Sequence, residues 1–265
     1  MWADPCRETI FTMNKTKLTS ALWRAGAVLL ALAVWELCAR LLGSRVLLAG
    51  PPEVARRAVE LMGEASFLAT LWHTFSRIVA GFLLALCVGT ALGILAGRFV
   101  IAETLLRPYM VTVRTVPVAS FIILALCFFT PGRLSVLISF LMVLPIIYNG
   151  VLQGIRGVDE KMLRAADVFR VPTGRRILYL WMPQVKPHLL SACSVALGLS
   201  WKAGVAAEVI GIPAGSIGEA LYRAKVYFLT ADLLAWTVMI VLLSVAFEKV
   251  FLALLRGLFR GLERL

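Results

Sequence analysis

Residues Arg164 to Pro183 read R-A-A-D-V-F-R-V-P-T-G-R-R-I-L-Y-L-W-M-P. This polar stretch lies between apolar runs at about 134–152 and 188–212. The wider segment 156–186 carries seven basic residues: Arg156, Lys161, Arg164, Arg170, Arg175, Arg176 and Lys186. Such a density of positive charge beside apolar runs marks a loop held on the cytoplasmic side of a membrane. The loop is also patterned as a short amphipathic helix. Met162, Ala165, Ala166 and Phe169 fall on one face, and Pro172 and Gly174 are expected to stop it. A short helix projecting between spans is a natural knob for a soluble partner. Its small alanines let a partner's groove close around the backbone, Phe169 and Val171 extend the contact, and the surrounding arginines steer toward an acidic rim.

Working outward, the composition allows one broad class. The chain is 60% hydrophobic and only 16% charged, with a mean hydropathy of +0.88. That describes an all-α, polytopic integral membrane protein, since a membrane barrel shows short alternating segments instead. The net charge of +12 sits mostly in segments flanking apolar runs. It therefore reports topology and contact with anionic lipid, and no nucleic-acid-binding motif accompanies it. Cys6, Cys38, Cys87, Cys127 and Cys193 are scattered without a C-x-x-C pair. His73 and His188 are far apart in sequence, so neither a metal site nor a cofactor site is indicated.

Six spans are expected, at about 21–42, 74–97, 109–129, 134–152, 188–212 and 232–255. Each approaches the ~20 residues that a bilayer core requires. Gly43 closes the first and Pro131-Gly132 the third. The first is read as an uncleaved span, because the apolar run is too long for a signal peptide and ends with Glu36 and Arg40. With both termini cytoplasmic, Lys and Arg in inner segments outnumber those in outer segments by more than two to one. The chain divides into 1–64, holding the N-terminal tail, first span and an external segment, and 65–265, holding five spans and the central loop. In the external segment Pro51-Pro52 opens a short amphipathic helix expected to lie at the membrane surface. Gly89, Gly93 and Gly97 form a small-residue ladder suited to close helix packing, and Pro117 and Pro145 imply kinks or broken helices.

Among the charged residues that fall in or at the edges of spans are Arg77, Lys202, Glu208 and Glu248. A charge at bilayer depth must face protein or water. Lys202 and Glu208, with Arg77, are candidates for lining a solute pathway; for Arg77 an interfacial anchor is the competing reading. Six residues separate Lys202 from Glu208, about 240° around a helix, so they do not pair with each other unless Gly204 unwinds the helix.

The central loop resembles the EAA loop of binding-protein-dependent ABC importer permeases, whose motif runs Glu-Ala-Ala, three residues, Gly, nine residues, Ile-x-Leu-Pro. Ala165 and Ala166 match the alanines, and Leu180, Met182 and Pro183 fall at the closing positions. Arg164 stands at the Glu position and Arg170 at the Gly position, so Pro172 and Gly174 are expected to supply the turn instead. The stretch from Thr74 to Gly93 and the stretch W-K-A-G-V-A-A-E-V-I-G from Trp201 to Gly211 are similar to the nitrate, sulfonate, taurine and bicarbonate subgroup. The resemblance covers roughly residues 65–255. It implies a type I importer permease in a prokaryotic cell membrane, paired with a second permease copy, an ATPase subunit inside and a solute-binding protein outside. It implies that Arg164, Ala165, Ala166, Phe169, Arg170, Val171, Pro172 and Gly174 couple to the ATPase. It further implies a small anionic or heterocyclic solute, and Lys202 suits an anion. The chain itself is not expected to be an enzyme, because it has no Walker A sequence, nucleophile elbow or H-E-x-x-H motif. The alternatives are a membrane-protein assembly factor and an integral membrane enzyme. The latter expects clustered His, Asp or Glu at span ends, and the sequence shows no such cluster.

Overall fold

The computed structural model describes residues 23, 26–43 and 47–262. The expectations for Cys6, Arg7, Lys15, Lys17 and Arg24 lie outside those residues. The described chain is helical: α1 (26–42), α2 (Pro51–Met62), α3 (Phe67–Arg98), α4 (Val100–Thr115), α5 (Val118–Leu126), α6 (Pro131–Arg156), α7 (Glu160–Val168), α8 (Thr173–Arg176), a π turn (Ile177–Trp181), α9 (Met182–Gly211), α10 (Ile217–Val226) and α11 (Thr230–Leu262).

Among the described residues, four helices are long and apolar enough to cross a membrane: Phe67–Arg98, Pro131–Arg156, Thr173–Gly211 and Thr230–Leu262. The pair α4 and α5, bent by 97°, makes a fifth if taken as one span. The expected third span is thus broken. Pro117 has no N–H to donate and sits at the bend, with Val116 extended before it, as the residue ahead of a proline prefers. Pro131 opens α6 as a first-turn proline rather than closing the span before it. The first expected span is helical over 26–42 and ends at Gly43, whose φ of +61° terminates it.

The core is a layer of three long helices with α6 between α3 and α9. Small residues set the spacing. A Cβ on Gly81 would stand 2.4 Å from the Val136 carbonyl oxygen, and one on Gly93 would stand 2.8 Å from the Val151 Cβ. Gly89 and Gly97 face Ile147 and Ile155 in the same way. The glycine ladder therefore brings the α3 and α6 backbones together, which is packing rather than a site. On its other side α6 offers Gly150 and Gly154 to Ala192 and Val185 of α9. Phe82, Val143, Ile147, Cys193 and Leu197 fill the space between, with Phe247 and Phe251 of α11 closing edge-on over Phe82.

The amphipathic helix expected after Pro51-Pro52 forms, but its apolar face meets protein. Val54, Ala58 and Leu61 pack with Ile217, Ala235 and Trp236. Arg57 clamps this joint by donating to both oxygens of Asp232, at 2.6 and 3.0 Å. That hydrogen bonding pushes the Arg57 pKa further up, so its charge persists.

Candidate functional site

The central loop is built around α7. Asp159 caps its start by accepting the Lys161 N–H at 2.8 Å, and Glu160 adds negative charge to the first turn. At its end Val171 N–H donates to the Ala166 carbonyl at 2.9 Å and Arg170 N–H to that of Asp167 at 3.0 Å. This pair of bonds closes a helix through a left-handed residue, and that residue is Arg170, with φ of +50°. Glycine adopts this conformation freely, whereas a residue with a Cβ pays on the order of 1 kcal/mol. The tight turn is therefore made at the motif's Gly position, although arginine occupies it. The expectation that Pro172 and Gly174 turn the chain is corrected: Pro172 precedes α8 as its cap and Gly174 lies inside it.

A second arginine holds the loop in place. The Arg176 guanidinium pairs with the Asp167 carboxylate, donates from Nε to the Val171 carbonyl at 2.7 Å, and donates from Nη2 to the Ala166 carbonyl at 3.0 Å. It gives the Ala166 carbonyl a second donor and ties Val171, beyond the end of α7, into the same joint. From sequence Arg176 is one of the loop's basic residues, marking topology and steering toward an acidic rim; its role as a tether is visible only in the fold. Ala166 is drawn into this joint and is 6% exposed, so it does not share the outward face on which the amphipathic pattern placed it. Ala165 remains outside, together with Met162, Val168 and Phe169, the last 80% exposed. Arg164 pairs with Glu160 one turn back at 2.8 Å, both side chains exposed. The loop thus presents an apolar patch rimmed by arginines on a helix tied at both ends.

The charged residues of the spans separate into two groups. Glu208 is fully buried and joins four helices. It accepts from the Thr74 hydroxyl of α3 at 2.7 Å, the Ser135 hydroxyl of α6 at 3.0 Å and the Gly218 N–H of α10 at 3.4 Å. Thr74 in turn accepts the Ile217 N–H at 2.9 Å. The Arg77 guanidinium stands 4.0 Å from Glu208, at the edge of ion pairing. Glu208 and Arg77 therefore sit together in a polar joint between α3, α6, α9 and α10. Lys202 points elsewhere and is exposed. Helix α9 runs unbroken through Gly204, where a Cβ would meet Ile78 and Ser139, so no unwinding brings Lys202 toward Glu208. Glu248 accepts from Ser194 at 2.7 Å, tying α11 to α9.

An open groove of about 510 Å³ runs between α4, α6 and α9. Its polar lining is Arg114, Asn149, Gln153, His188 and Ser191. The sequence reading assigned none of these to a site. The i,i+4 and i,i+3 spacings within 149–153 and 188–191 were there to find, but only the packing of α6 on α9 turns the two stripes toward one another.

Long apolar helices and a polar loop projecting between two of them describe a multi-pass membrane protein. The family model for the binding-protein-dependent transport system inner membrane component matches residues 89–264, and the chain belongs to that family. The taurine transport system permease protein TauC of Escherichia coli (strain K12) is 27% identical over 240 residues, 88% of this chain and 87% of that one. The putative aliphatic sulfonates transport permease protein SsuC of Bacillus subtilis (strain 168) is 29% identical over 218 residues, 80% of this chain and 78% of its own. The nitrate import permease protein NrtB of Leptolyngbya laminosa is 28% identical over 156 residues, 58% of this chain and 54% of its own. The chain is an ABC importer permease, a multi-pass protein of the inner membrane.

Proposed function

We propose that this permease forms the translocation pathway for a small anion, as one of two permease copies driven by a separate cytoplasmic ATPase and supplied by an external solute-binding protein. The observation that carries the reading is the apolar patch of Met162, Ala165, Val168 and Phe169, exposed on a helix capped by Asp159, closed through Arg170 and bonded by Arg176. A rigid knob transmits displacement, where a loose loop would absorb it. In this reading both termini and α7 are cytoplasmic, and ATP-driven movement of the partner is passed through α8 and the π turn into α9. Lys202 faces the pathway, while the Glu208 joint holds the outer ends of α3, α6, α9 and α10 together. The anionic solute is supported by relatives named for taurine, sulfonates, nitrate and bicarbonate.

The test is uptake into proteoliposomes that contain the permease with its ATPase and its binding protein, with radiolabelled taurine, ethanesulfonate, nitrate and bicarbonate as probes. One of these should accumulate only when ATP and all three proteins are present. Accumulation that persists without the ATPase would defeat the proposal.

A further inference from the structure

We propose that the groove between α4, α6 and α9 is the inner half of the solute pathway and contains an oxyanion site built on Arg114, Asn149, Gln153, Ser191 and His188. The inference rests on the permease reading above and adds the residues that hold the solute.

Depth is the first argument. Val113 packs in one cluster with Met142 and Ala203. Met142 precedes the end of α6 at Arg156 by fourteen residues, ~21 Å along a helix. That is deep within a hydrocarbon layer of ~30 Å. Arg114, next to Val113, is exposed at this level, and among the described residues no carboxylate pairs with it. A guanidinium at that depth faces water or protein, never lipid tails. Gln153, His188 and Ser191 are exposed nearer the inner end of the same groove. By contrast, the outward face of α3 carries Leu83, Leu84, Ile94 and Leu95, as a lipid surface requires.

Chemistry is the second argument. The polar lining consists of a guanidinium, two carboxamides, a hydroxyl and an imidazole, and no acidic side chain is among the lining residues. Asn149 uses one amide hydrogen on the Pro145 carbonyl at 2.6 Å, which fixes its orientation and leaves the other free to donate. A fixed cation ringed by neutral donors is what an oxyanion needs when it leaves water. The groove's volume of about 510 Å³ holds such a solute with water around it. The site also continues toward the outside. At 100° per residue Lys202 lies about 40° from His188 around α9, on the same stripe as Ser191, while Glu208 lies on the opposite side. The second wall of the pathway is then the matching groove of a second permease copy. The 97° bend between α4 and α5 follows close behind Arg114, at Val116 and Pro117.

The experiment uses the assembled transporter in inside-out vesicles, with native cysteines replaced by serine. Single cysteines are placed at Ser191→Cys and Gln153→Cys, with Leu84→Cys as the lipid-facing control. Each is timed against an anionic reagent, sulfonatoethyl methanethiosulfonate, and a cationic one, trimethylammonioethyl methanethiosulfonate. The groove cysteines should react roughly tenfold or more faster than the control, with the anion favoured beyond its intrinsic reactivity, and Arg114→Gln should reduce that preference by roughly tenfold. Arg114→Lys, which keeps the charge, should restore it. Groove cysteines as slow as Leu84→Cys would overturn the pathway, and a charge preference indifferent to Arg114 would overturn the anion site. Retention of the ATPase by every variant is scored in parallel. Its loss from the cysteine-substituted parent would count against the permease reading and not against the groove.

Discussion

Truncating Phe169 to alanine should weaken the grip of the ATPase without disturbing the permease. The side chain is 80% exposed, so it contributes little to the fold of its own loop. A phenylalanine side chain offers on the order of 200 Å² for burial, of which roughly 160 Å² is available to a partner here. At ~25 cal/mol per Å² this is ~4 kcal/mol for complete burial. Alanine keeps part of that contact, so a loss of about 2–3 kcal/mol is expected, which is roughly 30- to 150-fold in Kd. The assay is binding of the purified ATPase subunit to detergent-solubilised permease, wild type against Phe169→Ala, with Val245→Ala on the outer face of α11 as control. Thermal unfolding of the permease should be unchanged. A Kd within about threefold of wild type would show that the α7 patch is not the dock, and the coupling argument would fail with it.

Ala166→Glu should abolish ATPase binding by a different route, because its site is buried beneath the Arg176 joint; limited proteolysis should cut its loop faster, whereas Ala165→Glu should lose binding with the loop intact. Arg176→Met removes an ion pair and two carbonyl contacts, and should raise proteolytic cleavage between 168 and 176 by at least several-fold while leaving the spans folded. Glu208→Ala strands the Thr74 and Ser135 hydroxyls and the Arg77 guanidinium in a buried joint, a cost of about 3–5 kcal/mol that should appear as a lower Tm in detergent. Glu208→Gln, which still accepts hydrogen bonds, should lose less, and equal losses would mean the hydrogen bonds are not what matters. Lys202→Met should reduce uptake while the ATPase still co-purifies, and unchanged uptake would remove Lys202 from the pathway.

The long spans were legible because a bilayer demands a long apolar run whatever the neighbours do, and the broken third span was legible from Pro117. The closing turn of α7 was not. Its position follows from the motif's Gly site, but arginine there hides the signal, since a left-handed φ leaves no mark on residue identity when glycine is replaced. The joint around Glu208 was invisible for another reason: Thr74, Ser135 and Gly218 come from segments that no local pattern connects. Amphipathic periodicity placed Ala165 and Ala166 on one face, yet the chain folds back through Val171 and Arg176 to bury only the second. The groove lining escaped because no local pattern sets Arg114 and His188 against Asn149 and Gln153 until α6 and α9 are side by side.

On the proposed function this permease works only as part of an assembly powered from the cytoplasm. Native mass spectrometry of the tagged chain, extracted gently from its own membrane, measures that directly. The prediction is a complex of two permease copies with bound ATPase subunits, in which Phe169→Ala sheds the ATPases and keeps the permease pair. A chain that emerges alone, or a pair that never carries an ATPase, would contradict it.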